Sequence, residues 1–166
     1  MKKVILTALA LAVVSLAQSA NAQSASANFA ANARVVTPIS IAKTADMNFG
    51  DVVPGGSAGT VILSTAGARS TTGGVNLGNA NGAAAAAFTV SGQGSSTYAI
   101  TLPASANITS GGNNMSVGSF TSNPSGTGIL SAGGSQALAL GATLDVGASQ
   151  ATGTYTGNFS VSVNYN

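Results

Sequence analysis

Residues 153–166, Gly-Thr-Tyr-Thr-Gly-Asn-Phe-Ser-Val-Ser-Val-Asn-Tyr-Asn, decide the fold class of this chain. From Tyr155 to Tyr165 every second residue is apolar or glycine, and the positions between them are Thr, Asn or Ser. Side chains of a β-strand point alternately to opposite faces, so the pattern predicts a strand with one buried face and one wet face. Chain termini fray unless they are tied into a sheet, so this strand, over residues 154–165, is expected to pair with another.

Similar apolar alternations recur upstream, and clusters of turn residues such as those at 53–56 and 72–74 separate them. The alanine run at 83–87 follows Asn81-Gly82 and leads into an alternating stretch, so it is interpreted as a loop that enters a strand rather than as a helix. About nine short strands and no helix predict an all-β, immunoglobulin-like β-sandwich. The predicted strands are residues 35–41, 47–52, 60–63, 75–77, 88–90, 98–102, 115–120, 136–146 and 154–165.

Residues 1–22 have the organisation of a secretory signal peptide. A basic start at residues 2–3 precedes an apolar run at 4–16 and a small-residue cleavage site at 20–22. A membrane anchor is the alternative, but the run is shorter than the roughly 18–20 residues that cross a bilayer. We therefore expect export and a mature chain that begins near Gln23 and holds 144 of the 166 residues, enough for one domain with its own core.

Charge is sparse in the expected mature chain, and its formal net charge is zero. With no basic stripe to neutralise phosphates, nucleic acid is excluded as a partner. A surface with so few charges favours association and is typical of an exported protein that enters an assembly or a coat. The alternative is that low charge is a general property of secreted proteins. The charged residues are Arg34, Lys43, Arg69, Asp46, Asp51 and Asp145.

The side chains that usually carry catalysis are missing. The chain has no histidine and no cysteine, which removes the commonest general base, every thiol nucleophile, the soft metal ligands and any disulfide. Asp46 and Asp51 are close in sequence, but Asp145 is distant, and calcium takes six to eight oxygen ligands, so a calcium site here is a weak hypothesis. The sequence predicts a protein that is not an enzyme and has no metal or cofactor.

The mature N-terminus carries a second period-two pattern, over residues 25–35. Its odd-numbered positions are apolar and, apart from Phe29, mostly small: Ala25, Ala27, Phe29, Ala31, Ala33 and Val35. We interpret residues 23–33 as an N-terminal extension that precedes a sandwich domain at 34–166. The alternative is that it belongs to one long first strand of a complete sandwich.

The C-terminus resembles the ending of chaperone–usher pilus (fimbrial) subunits. Gly153 is the fourteenth residue from the end, alternating apolar residues follow it, and Tyr165 is penultimate. The mature chain is also similar to the bacterial domain of unknown function 4402 family, and residues 36–41, 47–50 and 153–159 carry that likeness.

This resemblance implies a sandwich that lacks its last strand, with a groove over the core and an exposed edge on the C-terminal strand. A periplasmic chaperone would lend a strand, and another subunit, delivered by an outer-membrane usher, would replace it with its own extension. The donor residues would be Ala25, Ala27, Phe29 and Ala31. The C-terminal edge strand would use Gly153, Tyr155, Phe159, Val161, Val163 and Tyr165.

The function that the resemblance implies is that of a structural subunit of a surface fibre or coat, which passes through the periplasm to the cell surface. Whether the edge is filled by another copy or by the chain's own extension stays open. The alternative function is a complete, monomeric, secreted sandwich that binds a carbohydrate or another surface ligand.

Overall fold

The structure is a computed structural model and describes residues 23–166. The predicted signal peptide lies outside the described residues. The chain divides after Arg34 into two units. Residues 23–34 are exposed throughout and form no regular secondary structure, and the next strand begins at Ser40, so a continuous first strand from residue 23 is not observed.

The second unit is built from strands, and among the described residues there is no helix. The all-β prediction is therefore confirmed, and the alanine run at 83–87 leads into a strand as expected. The strands are β1 (Ser40–Ala45), β2 (Val52–Leu63), β3 (Arg69–Leu77), β4 (Ala86–Ser91), β5 (Thr97–Thr101), β6 (Ala106–Ser110), β7 (Asn113–Asn123), β8 (Thr127–Ile129), β9 (Ser135–Val146) and β10 (Ser162–Tyr165).

The strands form two antiparallel sheets, one of seven strands and one of three. In the larger sheet β9 is central: along one edge it pairs first with β4 and then with β2, and along the other edge it pairs with β7. Strands β1, β3 and β6 complete this sheet by pairing with β4, β2 and β7 respectively. The smaller sheet has the order β10-β5-β8, which makes the C-terminal strand an edge strand.

The core lies on the inner face of the larger sheet, where the alternation along β9 buries every second side chain from Leu138 to Val146. It consists of two clusters. The first is packed beneath the three-stranded sheet and contains Ala86, Val90, Tyr98, Leu130, Leu138, Leu140 and Val163. The second is built from the larger sheet alone and contains Val61, Val75, Ile108, Val117, Ala142, Leu144 and Val146.

The predicted strand at 154–165 is wrong over most of its length. Regular pairing is confined to β10, because its partner β5 ends at Thr101 and Pro103, which has no main-chain N–H, follows soon after. Upstream of β10 a single bridge joins Thr156 to Thr109. The predicted strand at 47–52 is also reduced to one bridge, between Asn48 and Ala84.

The first predicted strand, at 35–41, is shifted to Ser40–Ala45, because the Thr37 main chain is hydrogen-bonded to side chains outside the sheet. Two short strands, β6 and β8, were not predicted. Each strand has a single buried residue, Ile108 in β6 and Gly128 in β8. One buried residue produces no alternating pattern in the sequence.

Candidate functional site: an apolar groove beside the C-terminal strand

A groove of about 970 Å³ runs over the core of the second unit, between two segments that include residues 46–51 and 150–161, which lie outside the regular strands. We call residues 43–54 the N-wall and residues 150–161 the C-wall. The floor is formed by strands β4, β6, β7 and β9 of the larger sheet. Its apolar residues are Ala86, Phe88, Ile108, Met115, Val117, Phe120, Leu140, Leu144 and Val146.

The groove lies over the part of the larger sheet that no strand of the smaller sheet covers. The second core cluster includes no residue of β5, β8 or β10. Instead, half-buried side chains from the two walls and from β7 on the floor pack against it: Met47, Phe49, Val52, Met115, Phe120, Tyr155 and Phe159. The two sheets therefore face each other over one half of the core, and the other half is closed by side chains around an open channel.

The C-wall has little main-chain support. Thr156 and Thr109 exchange two hydrogen bonds of 2.9 and 3.0 Å. From Gly157 to Val161 no main-chain group is hydrogen-bonded to the main chain of another residue within 23–166. This stretch is held by side chains, in particular by Phe159, whose ring centroid lies 5.3 Å from that of Phe120 at a tilt of 58°.

The edge of β10 that faces away from β5 continues the C-wall. The Asn166 amide donates to the Thr97 carbonyl at 3.4 Å, and Asn164 is paired with Ala99 in β5. Main-chain groups of alternate residues in an antiparallel strand point to the same edge, so those of Val163 and Tyr165 point to the side opposite β5. An edge of this kind is a template for another strand.

Outside the groove, the C-terminal strand contacts the segment that precedes β1. The Tyr165 hydroxyl accepts a hydrogen bond from the Gln93 amide at 2.6 Å and donates one to the Thr37 carbonyl at 2.7 Å. The Thr37 amide in turn donates to the Gln93 side-chain oxygen at 3.5 Å. These contacts tie the last strand to the segment that leads into β1.

Charged groups lie on the N-wall side of the groove but form no catalytic arrangement. Lys43 donates to the Asp46 carboxylate at 2.6 Å, and the Asp51 carboxylate accepts from the Asn81 amide at 3.0 Å. Within residues 23–166 no group of three His, Cys, Asp or Glu side chains is placed to hold a metal ion. In the same part of the chain, no helix has the length and hydropathy that a membrane crossing needs.

The predicted C-terminal site residues divide into two groups. Gly153, Tyr155, Phe159 and Val161 line the groove, whereas Val163 is buried in the first core cluster and Tyr165 packs against that cluster, away from the groove. Tyr155 lies outside any strand and is only half-buried.

The predicted donor residues lie in the first unit. All are exposed, and Phe29 has 92% of its surface accessible, the value of a large apolar side chain without a packing partner among the described residues. The sequence interpretation missed the part played by Met47 and Phe49. Their alternation was visible, but it was taken to indicate a paired strand instead of the lining of a groove.

Comparison with known proteins identifies one relationship. A family model described as a domain of unknown function, DUF4402, matches residues 39–165, which include both groove walls and all of the floor. No curated protein and no solved structure matches the chain. The chain therefore belongs to the DUF4402 family.

Proposed function

We propose that this DUF4402 protein is an exported structural subunit of a surface fibre or coat, in which consecutive copies join head to tail by strand addition. The single observation that carries the proposal is the groove: a channel with an apolar floor over half of the core, bordered by a C-terminal segment whose main-chain groups from Gly157 to Val161 have no main-chain partner within residues 23–166. The groove is the acceptor, and the extension at residues 23–33 of a second copy is the occupant.

The chemistry of the groove favours a polypeptide strand. Phe88, Met115 and Phe120 on its floor are half-buried and offer apolar surface, and the main chain from Gly157 to Val161 offers hydrogen-bonding groups. A strand is the ligand that uses both at once, because its backbone pairs with the edge while every second side chain enters the groove. A strand of eleven residues spans about 36 Å at 3.3 Å per residue, enough to follow the twelve-residue C-wall.

The extension has the complementary pattern. Its odd-numbered positions are apolar and its even-numbered positions are mostly polar, so one face can enter the groove while the other stays in solvent. Burial of Phe29 would contribute about 1.5–3 kcal/mol, and each alanine would contribute much less, so Phe29 is the main anchor. A contact of this kind, in which one copy donates and the next accepts, does not close on itself and generates a filament.

The route to the surface follows from the resemblance stated above. The signal peptide would direct export through the inner membrane, a periplasmic chaperone would protect the open edge, and an outer-membrane usher would exchange it for the next subunit. The proposal assigns no catalytic activity to the chain. A monomeric module that binds a carbohydrate is less favoured, since the floor of the groove offers few polar groups for sugar hydroxyls.

The test compares three versions of the mature chain: unchanged, with Phe29→Asp, and with Asn28→Asp. The two variants add the same charge to neighbouring positions that face opposite sides of a strand. We expect the unchanged chain and the Asn28 variant to form polymers that survive unheated detergent, and the Phe29 variant to stay monomeric with unchanged circular dichroism.

Deletion of residues 23–33 is expected to abolish polymers in the same way. Equal behaviour of all versions as stable monomers with the same melting temperature would overturn the proposal and favour the binding module. Polymers of equal abundance in all versions would show that some other surface drives association.

A further inference from the structure

The N-wall presents Met47 and Phe49 to the core, although it lacks the support that a strand ladder gives. Between β1 and β2 its main chain pairs with another segment in the manner of a strand at Asn48 alone, where two hydrogen bonds of 2.9 Å join it to Ala84. Both apolar side chains nevertheless pack on the core and line the groove. Something other than a ladder must fix the path of this segment.

Arg69, the first residue of β3, provides that support. One guanidinium nitrogen donates to the carbonyls of Phe49 at 2.9 Å and Asp51 at 3.1 Å, and the other donates to the carbonyl of Gly78 at 3.2 Å. No carboxylate forms a salt bridge with Arg69 among residues 23–166. The planar fork of this side chain therefore serves as a cross-link between two main-chain segments, the N-wall and the residue that follows β3.

The chain turns tightly over this guanidinium at Gly50. Its φ of +68° is one that glycine adopts readily, and a Cβ here would overlap the Ala80 carbonyl and the Arg69 guanidinium. The Asn48 side chain accepts a hydrogen bond from the Gly50 amide at 2.8 Å, which fixes the same turn from the other side. Phe49 thus lies between a bridged residue and a turn, and Arg69 holds its carbonyl.

The far end of the turn is anchored to the loop after β3. The Asp51 amide donates to the Asn79 carbonyl at 3.1 Å, and the Gly78 amide donates to the Asp51 carbonyl at 3.0 Å. Arg69 reaches the Asp51 and Gly78 carbonyls as well, so it joins both partners of this pair. The Asn48 side chain supports the same region, since it donates to the Asn81 carbonyl at 3.2 Å as well as accepting from the Gly50 amide.

We infer that Arg69 is a positioning residue for the groove: it holds the N-wall in the open arrangement that accepts a strand, without itself lining the groove. The inference rests on the proposed function. A wall that is fixed before binding loses less conformational entropy when the occupant arrives, and this raises affinity without adding a contact. Without the fork, the Met47 and Phe49 side chains are free to close over the floor and compete with the occupant.

The test uses the full mature chain with Phe29→Asp as a monomeric acceptor, and a dye-labelled synthetic peptide of residues 23–34 as the occupant. The same peptide with Phe29→Asp measures non-specific binding. Arg69→Ala removes the fork, and Arg69→Lys keeps the charge but not the fork.

Gln136→Ala is the matched control. Like Arg69 it makes several hydrogen bonds through its side chain, in this case by accepting from the Tyr98 hydroxyl and the Ile129 amide, but it lies away from the groove. The readouts are the peptide dissociation constant, measured well below every melting temperature, and hydrogen exchange at the amides of Gly50 and Asp51.

We expect both Arg69 variants to raise the dissociation constant by about tenfold or more, equivalent to about 1.4 kcal/mol, and to speed exchange at Gly50 and Asp51. The Gln136 variant is expected to lower the melting temperature with neither effect. A purely structural role for Arg69 would lower the melting temperature and leave the peptide affinity unchanged, and that result would overturn the inference.

Two further outcomes separate this inference from the proposed function. If the acceptor with Arg69 intact binds no peptide, the proposed function is wrong. If the peptide binds but exchange at Gly50 and Asp51 is the same with and without Arg69, the inference is wrong and the proposed function stands.

Discussion

The Tyr165 hydroxyl donates a hydrogen bond of 2.7 Å to the Thr37 carbonyl, across 128 residues of sequence. This contact joins the penultimate residue of the chain to the segment from which the N-terminal extension departs. Because the Gln93 amide donates to the same hydroxyl, one phenol joins three segments of the domain. The C-terminal tyrosine therefore anchors the segment that leads into β1, as well as completing an edge strand.

Substitution of Tyr165 by Phe keeps the ring and removes both hydrogen bonds. We expect the free energy of unfolding to fall by about 1–3 kcal/mol, since each hydrogen bond contributes about 0.5–1.5 kcal/mol net. Urea denaturation measures the change. Tyr155→Phe is the matched control, because that hydroxyl also makes two hydrogen bonds, but to residues four and five positions away, Ala151 and Gln150. If Tyr155→Phe lowers the free energy of unfolding as much as Tyr165→Phe does, the long-range hydrogen bond has no special importance and the prediction is wrong.

Gly128 in β8 lies against the fully buried ring of Tyr98, and a Cβ at this position would overlap the ring and the Gln136 side-chain oxygen. Because a close-packed core adjusts to extra atoms only with strain, we expect Gly128→Ala to destabilise the domain by about 1–3 kcal/mol in thermal unfolding. Gly56→Ala is the control, since nothing lies within 4 Å of its added carbon. The prediction fails if the two substitutions have equal effects.

Burial raises the pKa of the Tyr98 phenol from its usual value of 10.0. The unfolded chain therefore loses this proton at a lower pH than the folded chain, so the free energy of unfolding falls as pH rises above about 10. Below that pH the contribution of Tyr98 is fully present. We expect Tyr98→Phe to lower stability at neutral pH, since the 2.8 Å hydrogen bond to Gln136 is lost, but to flatten the decline at alkaline pH. Urea denaturation at a series of pH values tests this, and an unchanged slope in the variant would contradict it.

Period-two alternation was sufficient to predict the sandwich, because the inner face of β9 buries every second residue from Leu138 to Val146. The same alternation did not predict which segments beside the groove are paired with other strands. Residues 154–161 alternate as a paired strand does, yet most of them have no main-chain partner in the domain. Alternation shows which side chains face the core, whereas pairing depends on whether another strand is within reach.

The polar support of the groove could not be predicted from local pattern. Arg69 and the carbonyls of Phe49 and Asp51 are about 20 residues apart, and a guanidinium that binds backbone carbonyls leaves no complementary charge in the sequence to indicate its partner. Asp46 and Asp51, which were considered as calcium ligands, bind Lys43 and Asn81 instead. Contacts to main-chain atoms depend on the path of the backbone, and the residue types at those positions do not encode them.

Two fully buried valines separate the assembly role of the groove from the stability of the domain. Val117 lies on the groove floor, and Val90 lies beneath the three-stranded sheet, away from the groove; neither has accessible surface. Each Val→Ala change removes two methyl groups from a packed core, so both are expected to lower the free energy of unfolding by about 1–2 kcal/mol or somewhat more where a cavity remains. Met115 and Phe120, the half-buried floor residues, pack against the cluster that contains Val117. If an occupant strand packs on them, Val117→Ala loosens its contact surface from beneath and reduces detergent-resistant polymer, whereas Val90→Ala does not. The comparison is made at a temperature where both variants are folded. If the two variants lose polymer to the same extent for the same fall in melting temperature, assembly depends on the stability of the domain and not on the groove.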